Sequence, residues 1–271
     1  LSLVGSEMCI RDRSSRPAYT ETENELTVKA NKRTFIFSKK DGQLKGVSVD
    51  NRKINFANGP RFIGARRADR SLDQFYNHDD EKAKEKDRTY SEFPDAAVFT
   101  KLDVKQDGGD LIVTANYKLG NLDKAQWTIN PSGELALDYT YNFSGVVDLM
   151  GIRFDYPEDQ VISKRWLGAG PYRVWQNRIH GTQYDVWEND YNDPIPGETF
   201  TYPEFKGYFG NVSWMNIQTK EGTISLTNET PDAYIGVYQP RDGRDRLLYT
   251  LPESGISVLN VIPPVLSLIH I

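Results

Sequence analysis

Residues 130–143 read Asn-Pro-Ser-Gly-Glu-Leu-Ala-Leu-Asp-Tyr-Thr-Tyr-Asn-Phe, a turn sequence followed by strict alternation. Asn, Pro, Ser and Gly favour a tight turn at 130–133, because each suits the backbone angles that turns require. From Leu135 to Phe143 every odd position is apolar or aromatic. A period of two residues puts odd and even positions on opposite faces of a strand. The stretch therefore predicts a turn leading into an antiparallel strand with one buried and one solvated face.

The same combination of short β-prone runs and turn residues continues along the chain. The segments 40–43 and 107–109 carry the Asp-Gly chemistry of hairpin turns. No window has a sustained apolar period of about 3.6 residues, which argues against long amphipathic helices. We predict an all-β fold, a large antiparallel β-sandwich with few helices. Its predicted strands include residues 26–28, 34–37, 47–49, 111–117, 135–143, 212–217, 223–226, 233–237 and 256–261.

Both ends of the chain match the translation of a transposase-type sequencing adaptor. Residues 3–12 read Leu-Val-Gly-Ser-Glu-Met-Cys-Ile-Arg-Asp, which one frame of that adaptor encodes. Residues 266–271 match the same adaptor end on the opposite strand. Segments of this kind are not part of a fold. We therefore expect 1–13 and 266–271 to be non-native, 14–25 to be a linker, and 26–265 to form a single β-sandwich domain in an open fragment.

Composition argues against several classes of function. The net charge of −5 and the isoelectric point near 5.4 disfavour nucleic acid, which needs a basic surface. No stretch approaches the roughly 18 consecutive apolar residues of a membrane helix. Cys9, the only cysteine, falls in the predicted adaptor, which leaves no cysteine for disulfides or metal ligands. We expect no cofactor, no metal site, and neither a nucleic-acid nor a membrane partner.

Residues 166–178, Trp-Leu-Gly-Ala-Gly-Pro-Tyr-Arg-Val-Trp-Gln-Asn-Arg, form the most distinctive segment of the chain. They resemble the pattern W-x-G-x-G-P-x-E-x-Y-x-D-R of the C-terminal, small-chain domain of family 2 glycoside hydrolases of the β-galactosidase type. Arg173, Trp175 and Asn177 replace the Glu, Tyr and Asp of that pattern, so the resemblance carries over the fold but not the sugar specificity. Weaker resemblances to the same domain occur, in the same order, at 31–44, 58–69 and 129–135.

This resemblance implies a galactose-mutarotase-like β-supersandwich. In the family this domain follows a (β/α)8 barrel, whose two glutamates perform retaining hydrolysis of terminal β-linked sugars, with β-galactosides the first expectation. The chain shows no alternation of strands and helices that could build such a barrel, so we expect the catalytic pair to be absent and assign no catalytic residue. The implied partners are the missing catalytic barrel of the same chain and a carbohydrate substrate, in a secreted or periplasmic parent.

Residues 176–206 are predicted to be a long aromatic loop, and long loops inside compact domains are often functional. Arg and Asn bind sugar hydroxyls and aromatic rings cover the apolar face of a pyranose, but these side chains also anchor protein interfaces. Three interpretations are open: an interface with the barrel, which we favour, direct sugar contact, or packing within the domain. The candidate residues are Arg173, Trp175, Asn177, Arg178, Tyr184, Trp187 and Tyr191.

Two other functions are open at this point. A stand-alone carbohydrate-binding module would bind sugar by itself and lose that affinity in Trp175→Ala. An aldose 1-epimerase would need histidine as an acid or base, and outside the predicted adaptor only His78 and His180 are available. His78 lies in the mixed-charge segment 77–88, which lacks an apolar face and is predicted to be a solvated loop or one exposed turn of helix.

Overall fold

The computed structural model describes residues 16–67, 90–190, 207–230, 232–238 and 255–264. Both predicted adaptor segments and the mixed-charge segment 77–88 lie outside these ranges. Within them the fold is all-β and every strand-to-strand pairing is antiparallel, which confirms the predicted fold class. The described ranges contain one short 3-10 helix, Glu158–Gln160.

The strands follow one another along the chain with mostly short connections. They are β1 (Ala18–Glu21), β2 (Glu25–Ala30), β3 (Arg33–Ser38), β4 (Leu44–Val49), β5 (Arg52–Ile54), β6 (Ala57–Arg67), β7 (Tyr90–Glu92), β8 (Val98–Asp107), β9 (Asp110–Lys118), β10 (Leu122–Ile129), β11 (Leu135–Tyr141), β12 (Leu149–Asp155), β13 (Val161–Gly170), β14 (Gln183–Asp190), β15 (Trp214–Thr219), β16 (Gly222–Thr227), β17 (Tyr234–Val237) and β18 (Ile256–Val261).

These strands form one large and two small sheets. The main sheet has ten strands in the order β1-β2-β3-β4-β6-β12-β18-β17, with β5 attached to β4 and β7 attached to β6. The first small sheet has the order β11-β10-β9-β8, and the second has the order β14-β13-β15-β16.

The turn predicted at 130–133 is confirmed and shows why β11 begins where it does. The Asn130 carboxamide oxygen accepts hydrogen bonds from the Glu134 amide, at 2.9 Å, and from the Ser132 hydroxyl, at 2.7 Å. Gly133 has φ of +81°, a backbone angle that favours glycine. In the following strand the odd positions are half-buried and the even positions exposed, as the alternation predicts.

The two small sheets cover the same face of the main sheet, side by side. The core under the first small sheet includes Phe37, Trp127 and Phe154, and the Trp127 ring lies 5.9 Å from Phe37 and 6.0 Å from Phe154. The core under the second small sheet includes Trp166 of β13. Val258 of β18 packs against both cores, which places the two small sheets next to each other.

The opposite face of the central strands is buried as well. Ile63 of β6, Leu149 of β12 and Leu259 of β18 belong to a third core, which also contains Trp175 and Tyr208. Side chains alternate between the two faces of a strand, so β6, β12 and β18 are buried on both sides. The main sheet is therefore the middle layer at these strands.

The prediction of a loop over 176–206 is wrong for residues 183–190, which form β14 and pair with β13 along its whole length. Asp, Glu and Asn are depleted in strands, and here they occupy four of eight positions, Asp185, Glu188, Asn189 and Asp190. Pairing with the apolar strand β13 overrides that local preference.

Gly151 allows β12 and β18 to approach closely. A Cβ at this position would overlap the Val258 carbonyl oxygen and lie 2.7 Å from the Leu259 Cα, so Gly151→Ala must separate two central strands. We expect this substitution to lower the free energy of unfolding by about 1–3 kcal/mol or more, measured by urea denaturation. Gly46→Ala is the matched control, because its Cβ would meet nothing closer than Ile36 at 3.8 Å. Equal stabilities of the two variants would contradict this account.

A buried tyrosine links the second small sheet to the main sheet. The Tyr156 hydroxyl donates to the Glu221 carboxylate at 2.9 Å, and the same carboxylate accepts from the Asn55 amide and side chain at 3.1 and 2.6 Å. Tyr156 is 4% exposed. Burial, and to a smaller extent the negative charge of Glu221, raise the pKa of Tyr156 to about 12. The neutral hydroxyl therefore stabilises the folded state.

This shift predicts alkaline unfolding with a defined sign. Below pH 10 the tyrosine is protonated in both states, and the stabilisation is fully present. Between pH 10 and about 12 the unfolded chain loses the proton that the folded chain keeps, so the free energy of unfolding falls as pH rises. We expect Tyr156→Phe to reduce the slope of unfolding free energy against pH in this window, measured by urea denaturation at several pH values. An unchanged slope would show that this hydroxyl does not contribute.

Candidate functional site

The segment 166–178 begins as a strand and ends as a turn that crosses to the other face of the main sheet. β13 continues through Gly168 and Gly170 to a cis peptide bond at Pro171. A Cβ on Gly168 would lie 3.0 Å from the Asn211 carbonyl oxygen, and a Cβ on Gly170 would overlap the Trp187 ring. Both glycines of the family-like pattern are thus explained by close packing.

Trp166 and Trp187 are directly opposite each other on β13 and β14 and face inward. Trp166 is fully buried, donates its indole N–H to the Ala169 carbonyl at 3.0 Å, and meets the Phe209 ring edge-on at 4.8 Å. Trp187 donates its indole N–H to the Gly168 carbonyl at 3.2 Å. Both indole donors are satisfied within the domain, so these two rings are structural anchors.

Residues 174–178 attach to the edge of the main sheet. Tyr208 and Val174 exchange two backbone hydrogen bonds of 2.8 and 2.9 Å, and Phe209 exchanges two of 2.9 Å with Ile235 of β17. The Arg178 amide then donates to the Trp175 carbonyl at 2.9 Å, which closes a tight turn. The segment therefore extends the sheet beyond β17, and Trp175 becomes part of the third core.

Two buried cations flank the same aromatic ring. Lys164 is fully buried and Arg173 is 2% exposed, and each charged group lies 5.8 Å from the centre of the Phe209 ring. The Lys164 ammonium also donates to the Asp190 carbonyl at 3.1 Å. Cations placed over an aromatic face are attracted by its negative quadrupole. Arg173 is thus held inside the domain.

The structure separates the sequence candidates into two groups. Arg173 and Trp175 are buried, at 2% and 4% exposure, and the Trp175 ring packs edge-on against Tyr208 at 5.7 Å. Asn177 and Arg178 are exposed in the turn, and Trp187 is half-buried. Tyr184 is 53% exposed on β14. Tyr191 and His78 lie outside the described residues, and His180 is exposed just before β14.

The outer face of the second small sheet is apolar at one end. Tyr184 and Val186 are 53% and 42% exposed. Trp187 faces the core, and side chains alternate between the two faces of a strand, so Tyr184 and Val186 point outward. Ala169 lies opposite Tyr184 on β13, and Leu167 lies opposite Val186. Residues directly opposite in an antiparallel pair share a face, so these four side chains are neighbours.

Tyr184 extends this apolar surface across β13. Its hydroxyl bonds to the Ser213 hydroxyl at 2.6 Å, on the far side of β13, so the ring passes over the small Ala169. Trp214 of β15 is half-buried and lies opposite Leu167 on the same face. We call these five side chains the outer patch: Leu167, Ala169, Tyr184, Val186 and Trp214.

Sequence reasoning named Tyr184 but missed the rest of the outer patch. A usable signal was present at β15, where Met215 and Ile217 face inward and Asn216 and Gln218 face outward. Trp214 lies two residues before Asn216, so its side chain is on the same outward face of β15 as these polar residues. Val186 and Leu167 become its neighbours only through strand pairing, which the local sequence does not encode.

The described residues contain no group of three or more His, Cys, Asp or Glu side chains arranged to hold a metal ion. In the same part of the chain no helix has the length and apolar character needed to cross a membrane.

A family model described as the β-galactosidase small chain matches residues 29–258. This range begins within β2, ends within β18 and contains most of the residues of the three cores. No curated protein matches the chain.

The two groups of candidates predict different effects of truncation. Trp175→Ala removes a ring from the third core and should lower the free energy of unfolding by about 3–5 kcal/mol. Tyr184→Ala removes a half-exposed ring and one surface hydrogen bond and should cost about 1 kcal/mol or less. Urea denaturation followed by circular dichroism checks both values. A large loss in Tyr184→Ala, or a negligible one in Trp175→Ala, would reverse the assignment of core and surface.

Proposed function

The chain belongs to the β-galactosidase small-chain family, and on that premise we propose that it is a non-catalytic β-sandwich that braces a catalytic barrel. The barrel would be that of a family 2 glycoside hydrolase acting on terminal β-linked sugars, with β-galactosides the first expectation. The parent reaction requires two carboxyl groups about 5–5.5 Å apart on the barrel. In this proposal the chain stabilises the folded barrel and forms one wall of its active-site cleft.

The observation that carries this proposal is the outer patch. Two of its side chains, Tyr184 and Val186, are exposed and three are half-buried. Contiguous apolar surface with a polar border is a mark of interaction sites. Tyr and Trp, which the patch contains, are enriched at the centres of protein interfaces. The patch is built on paired strands, so it presents a rigid surface and little side-chain entropy is lost when a partner covers it.

Polar residues bound the outer patch where β13 and β14 continue. On this face, the pair next to Leu167 and Val186 is Arg165 and Glu188. Asn216 of β15 lies opposite Arg165 on its other side. An apolar centre with a polar and charged border is the usual anatomy of a protein interface. A protein surface of the barrel, with complementary apolar and charged groups, fits this border better than a sugar does.

The geometry of the turn at 174–178 supports the same function indirectly. Burial of Trp175 and Arg173 fixes the chain path from β13 to the sheet edge, so the exposed Asn177 and Arg178 are presented in a defined position. These two side chains can hydrogen-bond the barrel or the substrate at the cleft wall. Trp175 acts in this proposal by positioning the turn.

A single substitution in the outer patch should weaken docking. We expect Val186→Asp to reduce affinity for the separately expressed catalytic portion of the parent by about tenfold or more, because it buries a charge in an apolar contact. The measurement is a titration of the chain into that catalytic portion, followed by hydrolysis of o-nitrophenyl β-galactoside and by thermal unfolding.

Val98→Asp is the control for this experiment. Val98 has the same 42% exposure as Val186, and β8, on which it lies, is the outer strand of the other small sheet. Wild-type behaviour of Val98→Asp with loss of binding in Val186→Asp supports docking through the outer patch. Equal binding by both variants places the interface elsewhere, and a chain that neither binds nor stabilises the catalytic portion contradicts the bracing function.

A further inference from the structure

We propose that a cleft beside β11 is a binding site for a short neutral oligosaccharide, separate from the outer patch and independent of docking to a barrel. The cleft has a volume of about 400 Å³. One wall is the outermost strand of the first small sheet, and the other is formed by the main sheet and the segment after β16. Its lining residues are Lys124, Leu137, Asp138, Tyr139, Thr140, Tyr141, Thr230 and Asn260.

The aromatic wall of the cleft is rigid. Tyr139 and Tyr141 alternate with polar residues on β11, and their rings lie 6.0 Å apart and within 8° of parallel. Both rings also pack against the core under the first small sheet, and Phe62 meets Tyr141 edge-on at 5.7 Å. Aromatic surface that is held in place in this way binds the apolar face of a sugar without first having to be ordered.

Polar groups converge on the same space. The Tyr141 hydroxyl donates to the Asn260 carboxamide oxygen at 2.6 Å, which leaves the Asn260 amide group as a donor of fixed direction. Asp138 and Thr140 alternate with the two tyrosines, so their side chains lie on the other face of β11, whereas the exposed Thr230 adds a hydroxyl group to the cleft. A few oriented polar groups beside apolar surface are what fixes a small ligand in a site.

Charge and size define the class of ligand. The lining contains one cation, Lys124, and one anion, Asp138, so the cleft favours neither an anionic nor a cationic ligand. Its volume lies near the lower end of the roughly 300–1,000 Å³ of small-ligand sites. A neutral ligand dense in hydroxyl groups, of one or two sugar rings, matches the donors, the acceptors and the space.

A peptide is the competing occupant, because β11 is the outer strand of its sheet and a peptide could pair with it as a further strand. The contact between Tyr141 and Asn260 bridges from β11 to β18 and closes the end of that edge. A peptide strand needs an open edge over several residues, whereas a sugar needs only the cleft beside that edge. The geometry therefore favours the sugar.

The test uses the whole chain without any barrel, so that its outcome is separate from the docking experiment. Lactose and β-1,4-galactobiose serve as probes, and binding is followed by saturation-transfer-difference NMR and by titration calorimetry. We expect binding with a dissociation constant in the millimolar range or tighter. Asn260→Ala should weaken it by about fivefold or more, since it removes a hydrogen-bonding group.

Two further variants make the result specific. Tyr141→Phe keeps the packed ring, removes the hydroxyl that orients Asn260, and should also weaken binding. Asp107→Ala, an exposed aspartate at the end of β8 on the opposite edge of the same sheet, should bind like the wild type. The proposal is overturned if neither disaccharide binds, if Asn260→Ala and Tyr141→Phe both bind like the wild type, or if affinity is lost in Tyr184→Ala but retained in Asn260→Ala.

Discussion

Burial of β6, β12 and β18 on both faces is the constraint on which the rest of the structure depends. A strand that is covered on one side only can tolerate insertions or separation from its neighbours, because its other face is solvated. These strands cannot, since Ile152 faces one core while Leu149 and Leu259 face another. Glycine at 151 follows directly, because two buried strands must approach without a side chain between them.

The candidate site inherits its geometry from this middle layer. The third core needs a cover on the far face of the main sheet, and the cover is the segment that contains Val174, Trp175 and Tyr208. To reach that face the chain must leave β13 sharply and cross the edge beyond β17, which accounts for the packed glycines and for the pairing of Phe209 with Ile235. The most family-like residues of the chain are therefore those that build its layered architecture, and Asn177 and Arg178 beside them are exposed in the turn.

The sequence predicted those elements whose local signals agree with their environment. The hairpin strands β9 and β11 have strong alternation and Gly-containing turns, and both were found. The prediction of a loop is wrong for β14, because its acidic residues are exposed and its stability comes from pairing with β13. Among the site candidates, composition alone could not separate Trp175 from Tyr184. Both are aromatic residues in a polar segment, and only the path of the backbone makes one a core residue and the other a surface residue.

Buried cations beside Phe209 show why such a segment could not be interpreted from residue types. Arginine near tryptophan and asparagine is typical of a sugar-binding site. In this structure, however, Arg173 and Lys164 are both buried against the Phe209 ring. Two like charges in one core are tolerated only where the surrounding structure holds them apart and compensates each. Lys164 and Arg173 therefore join β13 of the second small sheet to Phe209, which pairs with β17 at the edge of the main sheet. A packed junction of this kind suits the proposed bracing function, because it connects the sheet that carries the outer patch directly to the main sheet.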